Sequence, residues 1–110
     1  MKTKEDALAY LRELQQIADE NRDRWTAACG SMEELQTLEG TLLRIRNAVS
    51  EAEAKNLAAT DAEFGSLIEK GNSILARVAQ AIQSNASMVD ILNSLAGGIQ
   101  VASLLLSKLV

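Results

Sequence analysis

Paired carboxylates are the nearest approach to reaction chemistry in this sequence. Glu33 and Glu34 are adjacent in "EELQTLE", and Glu51 and Glu53 stand two apart in "SEAEAK". Two carboxyls can divide acid and base roles when a cleft pushes their pKa values apart. These four lie mostly off the apolar positions of their segments, so a solvated helix face accounts for them. The chain has no His. That excludes Glu-x-x-His di-iron sites, the usual zinc sites and any Ser-His or Cys-His nucleophile pair. Cys29 falls near the end of a predicted helix, where the negative end of the dipole raises a thiol pKa, so it reads as a small packing residue. "EKGNS", residues 69–73, has a Lys and a Gly but lacks the P-loop frame. The expectation is a non-enzyme with no cofactor and no metal.

The elements that hold these residues are helices. Pro is absent, and there are three aromatics, Tyr10, Trp25 and Phe64. Four start signals recur: Thr3 before Asp6, Ser31 before Glu34, Thr60 before Glu63 and Ser87 before Asp90. In each a hydroxyl caps a free N–H and an acid faces the positive end of the dipole. Ser31/Glu34 and Thr60/Glu63 match the full capping box.

Apolar spacing agrees, in steps of three and four. The stripes are Ala7, Leu11, Leu14, Ala18, Asn21, Trp25, Ala28; Leu35, Leu38, Leu42, Ile45, Val49, Ala52; Phe64, Leu67, Gly71, Ile74, Val78, Ala81; and Met88, Leu92, Leu95, Ile99, Ala102, Leu106, Leu109. Tyr10, Ile17, Leu43, Ile68, Leu75 and Ile82 widen them to what a bundle with coiled-coil-like packing needs. Gly30 is a natural left-handed stop. Around Thr60 the stripe shifts phase, which favours a turn. At "SNAS", residues 84–87, it does not, so the break rests on poor helix formers and the Ser87 cap.

The predicted fold is therefore all-α, an antiparallel up-down four-helix bundle forming one domain over 1–110, with helices at about 4–29, 32–58, 61–84 and 88–108. The alternative is three helices, the last continuous over 61–110 and about 75 Å long.

Charge thins along the chain: segments 1–30, 31–60, 61–86 and 87–110 carry 11, 8, 5 and 2 charged residues. The net charge of −4 and the lack of a Lys/Arg cluster argue against nucleic acid. No apolar run follows the N-terminal lysines, so the location expected is cytoplasmic, with export by a route that reads other signals left open. Helix 4 carries a second apolar line, Ile91, Gly98, Val101, Leu105, and a further residue, Leu104. A bundle helix buries one seam and one flank, which leaves Val101 and Leu104 over. The expected contact face is Ser94, Gly97, Gly98, Val101, Leu104 and Leu105, packing on a protein partner or a second copy. The function expected is protein–protein interaction as an adaptor, assembly or inhibitory module, with the chain oligomeric. The runner-up is a membrane-active protein whose helix 4 inserts after the bundle opens. Its length suffices to span a bilayer, but Asp90, Asn93 and Gln100 oppose it, and basic flanks and aromatic belts are missing. Gly40, Gly65, Gly71, Gly97 and Gly98 fall inside predicted helices and suggest close packing or a bundle that opens.

Overall fold

Short polar corners set the helix ends. The computed structural model describes residues 3–56 and 62–110. It contains α1 (Lys4–Ala28), α2 (Met32–Ala54), α3 (Ala62–Gln83) and α4 (Met88–Leu106), packed as an all-α four-helix bundle. The Asp6 carboxylate accepts from the Thr3 N–H at 2.7 Å, Ser31 Oγ accepts from the Glu34 N–H at 3.1 Å, and Ser87 Oγ accepts from the Asp90 N–H at 3.3 Å. The Glu34 carboxylate reaches back to the Gly30 N–H at 2.9 Å rather than to Ser31. The Thr60 cap lies outside the described residues.

Three boundaries differ from expectation. Gly30 does not take the left-handed conformation; α1 ends because Cys29 turns extended, at φ −63° and ψ 129°. The second helix stops at Ala54 rather than 58, and Asn56 instead exchanges backbone hydrogen bonds with Val110, at 2.7 and 2.6 Å. Ser107 and Lys108 form a turn beyond α4. The long-helix alternative fails because α3 closes in a Schellman turn. Asn85 stands at φ 55°, the Asn85 N–H donates to the Ile82 carbonyl at 3.3 Å, and the Ala86 N–H donates to that of Ala81 at 2.9 Å. Asn tolerates this left-handed position better than most residues.

Direction alternates along the chain. Arg24 meets Asn85, joining the far ends of α1 and α3, and Lys108 meets Glu63, joining the end of α4 to the start of α3. Lys4 Nζ donates to the Glu53 carbonyl, joining the start of α1 to the end of α2. Spatial order is not chain order. α1 and α4 each touch all three other helices, whereas α2 and α3 do not touch. The cross-section is a rhombus with α1 and α4 on its short diagonal.

Two glycines bring α3 and α4 close to α1, Gly71 along one side of the rhombus and Gly98 along its short diagonal. Tyr10 is 1% exposed, and its ring enters a gap where a Cβ on Gly71 would stand 2.7 Å from Tyr10 Cε1. Its hydroxyl donates to the Gly98 carbonyl at 2.7 Å. A Cβ on Gly98 would meet that hydroxyl at 3.2 Å and Leu14 Cδ2 at 3.4 Å. One aromatic thus locks α1, α3 and α4 together. Leu11, Leu14, Trp25, Leu38, Phe64 and Leu95 belong to the same core, which all four helices line.

Candidate interaction surface

α4 sits among the other three helices, and this decides what its apolar residues do. Its deepest line is Met88, Ile91, Leu95, Gly98, Val101, Ala102 and Leu105, while the expected seam residues Leu92, Ile99 and Leu106 are only half-buried. The core face is thus rotated toward the second line. A helix covered on three sides buries both flanks, so the surplus read from the sequence is largely core.

The six expected contact residues accordingly divide. Gly98, Val101 and Leu105 are buried in the chain's own core, Val101 at 1% and Leu105 at 0% exposure, and cannot meet a partner. Their burial contributes about 1.5–3 kcal/mol each for the two larger side chains. Ser94, Gly97 and Leu104 stay at the surface, with Leu104 40% exposed. The Ser94 hydroxyl donates to the Asp90 carbonyl at 3.0 Å, and a Cβ on Gly97 would have only Ile74 within 4 Å, at 3.7 Å. With Val89, Asn93, Ala96, Gln100 and Ser103 they form an outward strip. Between Asp90 and Lys108 it carries no ionisable group. Lys108 pairs with Glu63 at 3.0 Å at one end.

Glu33, Glu51 and Glu53 are exposed and Glu34 is a helix cap. Burial pushes the Tyr10 phenol well above its ordinary pKa, toward the neutral form. The Cys29 thiol is also raised, first by desolvation and then by the Glu34 and Glu39 carboxylates. Among the described residues no three His, Cys, Asp or Glu stand together to hold a metal.

A groove of about 440 Å³ opens at the end of the bundle where the α1–α2 and α3–α4 corners meet. Trp25, Ala28, Ile82, Met88 and Val89 line it, with Arg24 and Glu34 among its polar residues. Both charges already serve the fold: Arg24 donates to Asn85 Oδ1 at 2.5 Å, and Glu34 caps Gly30. Sequence reasoning missed this groove because its walls come from corners about sixty residues apart. A smaller groove between α1 and α2 is lined by Asp19, Arg22, Glu39, Leu42, Leu43 and Arg46. No family model, curated protein or solved structure matches the chain.

Proposed function

We propose that this protein is a non-enzymatic interaction module, an adaptor, assembly or inhibitory chain that meets a protein partner through the outer strip of α4. The observation that carries this reading is the exposed strip of α4, free of ionisable groups from Ile91 to Ser107, with Val89 and Leu104, 54% and 40% exposed, near its two ends and one acid, Asp90, beside Val89. Charge depletion with exposed apolar anchors is what the centre of a protein interface needs, because buried unpaired charge is costly there. The test is a photo-crosslinking residue placed at Leu104 in the native cell, with one at the exposed α3 position Gln80 as control. The expected result is a discrete protein adduct from position 104, absent from position 80 and lost on Val89→Glu. Equal labelling from both positions would refute the reading.

A second reading has one observation behind it: α4 is the helix, among the described residues, long and apolar enough to cross a membrane. Insertion would require withdrawing Ile91, Leu95, Val101 and Leu105 from the core and breaking the Tyr10–Gly98 hydrogen bond. It ranks second for that reason. Flotation of the chain with anionic liposomes is its expected signature, and recovery in the unbound fraction would sink it.

A further inference from the structure

Gly40 lies inside α2, is exposed, and has no atom within 4 Å of the place a Cβ would occupy. A glycine in a helix interior weakens the helix relative to alanine. Gly71 and Gly98 answer that cost with Tyr10, but Gly40 has no such use within its own chain. It is central on the face that α2 turns away from the core. Met32, Glu33, Gln36, Leu43, Arg44 and Asn47, at helical offsets of −8, −7, −4, +3, +4 and +7 from Gly40, are all exposed on that face. Met32 is 68% and Leu43 56% exposed. Because α2 touches only α1 and α4, it stands at an acute corner of the rhombus and this face protrudes.

The charge order on the face selects its occupant. Glu33 lies before Gly40 and Arg44 after it. Laying a second α2 end for end across the first at Gly40 sets position 36 opposite 44 and 33 opposite 47. Each Glu33 then lies within one helical turn of Arg44 on the other copy, and Leu43 falls against Gln36 of the other copy. A parallel pairing would set Glu33 on Glu33 and Arg44 on Arg44. Glycine at the crossing lets two backbones approach closely, and a two-fold contact repeats every favourable pair. We propose that α2 forms an antiparallel two-fold pair with α2 of a second copy, crossing at Gly40 and flanked by two Glu33–Arg44 ion pairs. With one helix from each side, the contact is at the small end of specific interfaces, so the dimer forms and dissociates with concentration. It uses residues separate from the α4 strip, and either surface can fail without the other.

Sedimentation equilibrium of the full chain without detergent, from micromolar to millimolar concentration, is the test. The wild-type mass should climb from 11.8 kDa toward twice that value. Gly40→Leu, checked for unchanged helix content, should stay monomeric. Glu33→Arg and Arg44→Glu should each raise the dissociation constant about tenfold or more. Their equimolar mixture should dimerise again, because one chain then offers two arginines and the other two glutamates. A wild type that stays monomeric throughout would overturn the proposal. So would a dimer that survives Gly40→Leu, or charge variants that do not recover on mixing.

Discussion

Tyr10 carries a hydroxyl into the core, and Gly71 and Gly98 close around its ring and hydroxyl. Gly71→Ala would set a Cβ 2.7 Å from the ring, so it should destabilise by about 1–3 kcal/mol in urea denaturation. Combining it with Tyr10→Leu should cost less than the sum of the two changes, since the clash is with the ring. Gly40→Ala should do the reverse and stabilise the monomer by about 0.5–1 kcal/mol, because nothing crowds that position. Tyr10→Phe removes one hydrogen bond whose acceptor belongs to a helix, a loss of about 0.5–1.5 kcal/mol. The phenol also sets a pH dependence. Its folded pKa lies above the unfolded value of about 10, so its contribution is intact below that pH. As pH rises further the unfolded chain ionises while the buried phenol stays neutral, and stability falls by up to about 1.4 kcal/mol per pH unit. Urea midpoints measured from pH 9 to 11 should show this slope in the wild type, and Tyr10→Phe should lack this contribution. The sequence placed Tyr10 correctly on the apolar flank of α1, but not its partners. Gly71 and Gly98 were legible as weak spots in helices, and only the fold reveals that one ring fills both.

At the scale of the element, the helices were legible because caps and apolar spacing agree. Ser31 and Ser87 both cap where expected. Ser87→Ala should cost about 0.5–2 kcal/mol, read as a fall in the urea midpoint. Spacing could not give the rotation of α4. Its two apolar lines, one through Leu92, Ile99 and Leu106 and the other through Ile91, Gly98 and Leu105, are about equally good stripes. Which is deeper depends on how many neighbours a helix has, and that is a tertiary fact. The difference has a sharp consequence one turn apart. Leu104→Glu, at a 40% exposed site, should leave the thermal midpoint within a few degrees of wild type. Val101→Glu, at a 1% exposed site, should abolish cooperative unfolding, because it buries an unpaired carboxylate. Circular dichroism melts of the two variants side by side decide it. The end of α2 was illegible for another reason: Asn56 leaves the helix to pair with Val110, a contact across 54 positions that no local pattern announces.

For the whole molecule, chain order and spatial order part company at the second connection. The corners at 29–31 and 84–87 are three and four residues long, and so short a link holds consecutive helices side by side. Seven residues separate Ala54 from Ala62, enough to pass from one acute corner of the rhombus to the other. Alternation of direction follows from short links alone, so the sequence was sufficient for it. Neighbour identity does not follow, because every helix offers a stripe of similar width. Gly98 brings α4 against Tyr10 and Leu14 of α1, and the wide apolar surface of α4 is shared between α1, α2 and α3. This order can be read chemically after Cys29→Ala removes the native thiol. Asn47 of α2 and Ser103 of α4 line one groove and point to solvent, so cysteines there should be joined rapidly by a short bis-maleimide. Asn47→Cys paired with Lys70→Cys or Ser73→Cys of α3 should give no intramolecular product, since the bundle stands between them. A simple ring in chain order predicts the opposite yields, because there α2 and α3 are neighbours and α2 and α4 are diagonal. Run at a concentration where the chain is monomeric, the reaction separates the two arrangements without interference from pairing between copies.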